Sequence, residues 1–191
     1  HMDRYGEALE CYDAAISIDP KYAWAHMGKG DCLVDMDRYE EALECYDAAI
    51  SIDPKYAWAH HHKGLALHEM HMYKAATKCY DAAISIEPGH REAHRGKAGC
   101  LLDMDRYEEA AECYDAALRL DPEDAASHHH KGICLYMLGR YAEALECHDA
   151  ALRLDPEYAG AHMDRGRCLS KMGRGEEAAQ CYAESLRLTS K

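Results

Sequence analysis

The sequence predicts an all-α solenoid, a row of short antiparallel helix pairs stacked one on the next. Three observations predict it. Every proline recurs at a spacing of 34 residues: Pro20, Pro54, Pro88, Pro122 and Pro156. A fixed period of 20–50 residues marks a repeat architecture in which each unit packs only on its neighbours. Between the prolines, apolar residues recur at helical intervals. Residues 2–26 and 36–60 differ only at Gly6 versus Glu40, so one unit is written twice almost unchanged.

The first element covers residues 3–18, where Ala8, Leu9, Tyr12, Ala15 and Ile16 have helical spacing. It reads as the second helix of a half-repeat, 3–22. Asp19-Pro20 ends it, because proline disfavours helix at the preceding residue and donates no backbone hydrogen bond. Five helix pairs follow, in repeats 23–56, 57–90, 91–124, 125–158 and 159–191 of a single repeat domain spanning 1–191. Helix A of each pair is expected at 23–36, 57–70, 91–104, 125–138 and 159–172. Helix B is expected at 40–52, 74–86, 108–120, 142–154 and 176–188. Connections of a few residues force antiparallel neighbours, and each helix is roughly 20 Å long at about 13 residues.

Composition narrows the function classes. Apolar residues make up 48% and charged residues 30% of the 191 positions, as in soluble folded chains. No run approaches the 18 apolar residues of a membrane span. The net charge of −13 argues against nucleic acid, which needs a basic surface, and permits basic or mixed-charge partners. His1-Met2 reads as a cloning remnant, and no signal peptide is visible. The ten cysteines fall into two repeat columns, Cys11/45/79/113/147/181 and Cys32/100/134/168. Cysteine packs as a small buried apolar group, so reduced structural thiols in a cytoplasm are expected, not disulfides.

Gly30, Ala42, Tyr46, Ala49 and Pro54 occupy the small, small, aromatic, small and proline positions of the tetratricopeptide repeat, and with the in-phase prolines the chain resembles that family over nearly its whole length. The resemblance implies a right-handed superhelix whose concave groove holds peptides. Gly30, Gly64, Gly132 and Gly166 are expected to let helix A approach Ala42, Ala76, Ala144 and Ala178 of helix B. Leu33, Leu67, Leu101, Leu135 and Leu169 fill the interior, each contributing roughly 1.5–3 kcal/mol when buried. Glycine inside a helix costs about 1 kcal/mol relative to alanine, so Gly96 and Gly99 should make residues 91–104 the weakest helix A. His26, His60, His94, His128 and His162 replace the family's usual large apolar residue. They are expected to pack in the core with one nitrogen satisfied.

Columns that vary between repeats are free of scaffold duty. In helix A these lie three, four and seven residues apart, on one stripe. In the family that stripe lines the groove. The resemblance therefore implies a peptide-binding site made of Trp24, Met27, Asp31, Trp58, His61, His62, Leu65, Arg95, His129, His130, Ile133, Tyr136, Met163 and Arg167. Aromatic residues and arginine are frequent binding anchors. The chain has no asparagine, and Met27, Asp31 and His62 stand where a carboxylate clamp would place donors, so chaperone C-termini are not expected ligands.

Fourteen histidines raise the alternative of a metal-binding protein using His, Cys and Met. Yet the triplets His60-His61-His62 and His128-His129-His130 project about 100° apart in a helix and cannot converge on one ion. No metal or cofactor is expected. A positive groove centre below about pH 6.5 is a further expectation. No phosphate loop, metalloprotease motif or nucleophile elbow is present, and Cys and His follow the structural period, so no enzyme activity is expected. A third alternative is a self-assembling module: the leading helix lacks its partner, and end-to-end contacts between chains are expected.

Overall fold

The computed structural model describes residues 2–190, with side chains described for residues 5–190. Among them are eleven α-helices and no strand. They are α1 (Met2–Ile18), α2 (Ala23–Val34), α3 (Tyr39–Ile52), α4 (Ala57–Glu69), α5 (Tyr73–Ile86), α6 (Arg91–Asp103), α7 (Tyr107–Leu120), α8 (Ala125–Met137), α9 (Tyr141–Leu154), α10 (Ala159–Lys171) and α11 (Gly175–Thr189). Every helix begins within one residue of its expected start.

The boundaries have local causes. After each helix A one residue turns left-handed: Asp37, His71 and Asp105 at φ 57°, Gly139 at 76° and Gly173 at 77°. The next backbone N–H then returns to the carbonyl of the buried leucine, as from Arg38 to Leu33 at 2.9 Å and from Arg140 to Leu135 at 2.9 Å. This closes the helix end by a six-to-one bond. Helix B opens with an arginine forked onto the glutamate three residues on, in Arg38–Glu41, Arg106–Glu109, Arg140–Glu143 and Arg174–Glu177.

At the other end of helix B, the aspartate before the proline is extended (Asp53, φ −128°, ψ 93°), as a residue before proline must be. Its carboxylate accepts a hydrogen bond from the second backbone N–H onward, Asp53 from Lys55 at 3.0 Å and Asp155 from Glu157 at 3.0 Å. The five histidines of the His26 column all bond here. Nε2 of His26, His60, His94, His128 and His162 lies 3.1, 3.2, 3.1, 3.0 and 2.9 Å from the carbonyl of the proline six residues earlier. One nitrogen is satisfied, as expected, but these rings are half-buried instead of lying deep in the core.

The packing divides into two compact units, residues 1–100 and 101–191. In the first, α2 pairs with α3 and α4 with α5, while α1 lies on α2 and α3 on α4. Its core runs through Leu33, Ala42, Tyr46 and Ala66, and through Leu67, Ala76, Tyr80, Ala83, Ala93 and Cys100. In the second, α8 pairs with α9 and α10 with α11, while α7 lies on α8 and α9 on α10. Leu135, Ala144, Cys168, Leu169, Ala178 and Cys181 form its interior. A cation of helix A pairs with an aspartate of the preceding helix B throughout: Lys29–Asp13, Lys97–Asp81 and Lys131–Asp115 at 2.6 Å, Arg165–Asp149 at 2.6 Å, and Lys63–Asp47.

The glycines of this repeat column make room for a ring of helix B. A Cβ on Gly30 would sit 2.6 Å from the Tyr46 ring, on Gly64 2.8 Å from Tyr80, on Gly132 2.5 Å from His148 and on Gly166 2.6 Å from Tyr182. These glycines admit the ring of helix B. Gly96 belongs to the same scheme, since its Cβ would meet Tyr80 at 2.6 Å. All ten cysteines are free thiols, and burial pushes Cys134 up to about 12 and Cys168 to about 11. Such thiols are unreactive.

Candidate functional site

The candidate residues lie on helices of both units. In the first unit, α2 and α4 carry Trp24, 50% exposed, Trp58, 42% exposed, and Leu65, 37% exposed. Trp24 rests on Tyr12 and Tyr22, with centroids 5.8 and 5.9 Å away. Met27 is partly buried on the Leu33–Tyr46 core. Asp31 Oδ1 accepts a hydrogen bond from Tyr46 Oη at 2.8 Å, and His62 Nδ1 lies 2.8 Å from the same oxygen. Asp31, Val34, Asp35, Tyr46, His62 and Leu65 enclose a pocket of about 290 Å³. Arg95, on α6, is exposed.

Beneath Trp58 the environment changes. His61 is buried, in edge contact with Trp58 at 5.7 Å, and packs 5.0 Å from His90 and 5.7 Å from Tyr80. Trp58 itself lies 4.4 Å from the His90 ring. His61 Nδ1, both His90 nitrogens and Tyr80 Oη are buried without a hydrogen-bond partner. Glu92 Oε2 comes within 3.4 Å of His90 Nδ1 but not in hydrogen-bonding geometry. Burial pushes His61 down to about 3, helped by His62 and His90, and lowers His90.

In the second unit, His129 is also buried, but both its nitrogens are bonded. Nε2 lies 2.9 Å from Asp164 Oδ2 and Nδ1 3.0 Å from Tyr158 Oη. Nε2 donates to the carboxylate, which can only accept. Arg167 binds the other Asp164 oxygen at 3.0 Å and lies over the Tyr136 ring, 5.0 Å from its centroid. Burial works to raise the Asp164 carboxyl, yet the bonds from His129 and Arg167 leave it below its ordinary range. His130 stacks on Tyr114 at 5.8 Å and 17°, with Nδ1 2.7 Å from the Ala126 carbonyl. Ile133 is half-buried, and Met163 is 38% and Met137 50% exposed. His148, fully buried, bonds through neither nitrogen, and burial pushes it down to about 4.

The stripe therefore has two layers. The column Gly28, His62, Gly96, His130 and Asp164 sits against the ring of the preceding helix B. Gly28 faces Tyr12 and Gly96 faces Tyr80, while His62 lies near Tyr46, His130 on Tyr114 and Asp164 by His148. His61 and His129 lie in this inner layer, whereas Trp24, Trp58, Leu65, Arg95, Met163 and Arg167 face solvent. The expected positive centre fails for His61, which burial keeps neutral far below pH 6.5. Sequence reasoning missed His90, Tyr158 and His148. For His90 a signal was available, because the loop column reads Tyr22, Tyr56, His90, Asp124 and Tyr158 and departs from tyrosine at His90 and Asp124. Among the described residues no three His, Cys, Asp or Glu side chains group to hold a metal ion, and no helix is long and apolar enough to cross a membrane.

Repeated helix pairs, a ring of helix B against a glycine of helix A, and an uninterrupted proline period define a helical-repeat protein. Profiles described as TPR repeat match residues 2–37 and 30–70, and those described as tetratricopeptide repeat match 63–125, 101–147 and 135–188. The chain belongs to the tetratricopeptide repeat family. Among solved structures it is similar to YrrB, described as a TPR protein with an unusual peptide-binding site, at 22% identity and a TM-score of 0.81, covering 96% of this chain and 94% of that one. It is also similar to MamA from Desulfovibrio magneticus RS-1, at 21% identity and a TM-score of 0.83, covering 88% of this chain and 95% of that one. No curated protein matches the chain.

Proposed function

We propose that this chain is a protein-interaction scaffold that holds a peptide or a partner-protein segment on the outer layer of its A helices. The observation that carries this reading is the half-exposure of Trp24 and Trp58 on α2 and α4. Exposed tryptophan on a rigid helix is a ready anchor, combining large apolar area with a free indole N–H and few rotatable bonds. Met137, Met163 and Arg167 serve the same purpose in the second unit. The inner layer, His61 and His129 included, supports these anchors from beneath. The peptide-binding description of YrrB is consistent with this use of the fold, and the net charge of −13 favours basic or mixed-charge segments over nucleic acid.

Selection of a phage-displayed random dodecapeptide library on the whole chain tests the proposal. A variant carrying Trp24→Ala and Leu65→Ala is the control, with circular dichroism used to verify its helix content. Peptides enriched on the parent and lost on the folded variant are the expected result. Equal enrichment on both, or none on the parent, rejects the helix-A face as the site.

A further inference from the structure

We propose that the pocket between α2 and α4 is a subsite for the side chain of a lysine or arginine, so that the segment bound by the first unit carries a basic residue there. The inference rests on the binding function proposed above and specifies its chemistry. The pocket is about 290 Å³, with walls of Val34, Leu65 and the Tyr46 ring and two carboxylates, Asp31 and Asp35, at its edge. A long cationic side chain has this division of character, an apolar stem and a charged, hydrogen-bonding head.

The two carboxylates are differently prepared. Asp31 is held in place, because Tyr46 Oη donates to its Oδ1 at 2.8 Å and His62 Nδ1 lies 2.8 Å from the same oxygen. Its Oδ2 takes neither bond and remains available. Asp35 is exposed, and among the described residues its side chain has no hydrogen-bond or ion-pair partner. The one other titratable group bounding the pocket besides Tyr46 is His62, whose Nδ1 lies 2.8 Å from Asp31 Oδ1. The pocket thus presents two negative charges with no lysine or arginine among its walls. Trp58 stands beside it, its ring 6.0 Å from that of His62, and offers an aromatic face to a cation entering or leaving.

The repeat supplies an internal control. In α8 the three columns of Asp31, Val34 and Asp35 read Ile133, Tyr136 and Met137, and in α10 they read Arg167, Ser170 and Lys171. The column of Asp35 is acidic again at Glu69 and Asp103, but the column of Asp31 reads Leu65 and Gly99 in those helices, so the pair of carboxylates occurs only in α2. A cation-accepting subsite follows from charge complementarity, and specificity of this kind is what interfacial charges provide.

The test uses the peptides enriched from the dodecapeptide library on the whole chain. Lysine or arginine should recur at one fixed position. Replacing that residue by norleucine should weaken binding about tenfold, as should the Asp31→Asn, Asp35→Asn double variant. Norleucine peptide and double variant together should be scarcely weaker than either alone, because both remove the same contact. Enriched peptides without a recurring basic residue, or additive losses in the cycle, overturn the subsite while leaving the scaffold reading intact. No enrichment on the parent overturns both.

Discussion

His61 and His129 hold the same place in two repeats of one chain, and their surroundings differ completely. The next repeat offers His129 a tyrosine hydroxyl and a carboxylate, from Tyr158 and Asp164. At the corresponding places it offers His61 an imidazole and a glycine, His90 and Gly96. One ring is fully bonded, while the other has a buried nitrogen with no partner. Burying a polar atom without a partner costs stability, whereas a bonded one contributes modestly. What a residue does in a repeat protein is thus set by the neighbouring unit as much as by its own column. In the second unit the inner layer is a polar lock between repeats, and in the first it is an unsatisfied cluster under a tryptophan.

The sharpest way to break this comparison is one substitution made twice. Methionine already stands in this column at Met27 and Met163. His129→Met should cost about 2–4 kcal/mol, because it removes two hydrogen bonds and leaves the Asp164 charge with one partner fewer. His61→Met should stay within about 1 kcal/mol of the parent or stabilise it. Urea denaturation followed by circular dichroism measures both, and equal losses would erase the distinction.

Acid should act next. His61 and His148 have folded pKa values near 3 and near 4, below the unfolded value of about 6.5. The unfolded chain therefore binds more protons in this window, so the stability these groups allow is complete above pH 6.5 and falls as the pH drops. Each contributes a loss of up to about 2 kcal/mol between pH 6.5 and 5. His61→Met should flatten the slope by its share. A stability independent of pH over this range would contradict the burial of these rings as neutral groups.

The smallest expected contrast lies between two tyrosines. Tyr46 donates to Asp31, while in the next repeat Leu65 stands in the place of Asp31 and the Tyr80 hydroxyl has no partner. Tyr46→Phe should cost about 1 kcal/mol, and Tyr80→Phe should cost nothing or stabilise slightly. Thermal melts of the two variants measured side by side would resolve the difference.

The helices were legible because their signals are local. Apolar spacing, the proline period and the Asp-Pro turn act within a few residues, and each helix begins within one residue of expectation. The division of the variable stripe into two layers was not legible. His61 and Trp58 both vary between repeats, yet one is buried and the other is a partly exposed ring above it. Variation marks freedom from the shared scaffold and says nothing of depth, which depends on the size of the ring beneath and on the neighbouring repeat. Gly96 shows the same limit. The sequence marks it as a helix weakener, but only the position of Tyr80 reveals it as space for a ring.

The two tryptophans make the most direct test available. Trp24 and Trp58 are the only tryptophans in the chain, and both lie on the proposed binding face of the first unit. Their emission should be followed while a peptide enriched on the parent is titrated in. Saturable movement of the emission to shorter wavelength, with the affinity found by an independent binding assay, is the result predicted for rings that a ligand covers. Saturable binding that leaves the emission unchanged would place the ligand elsewhere and contradict the assignment of this face.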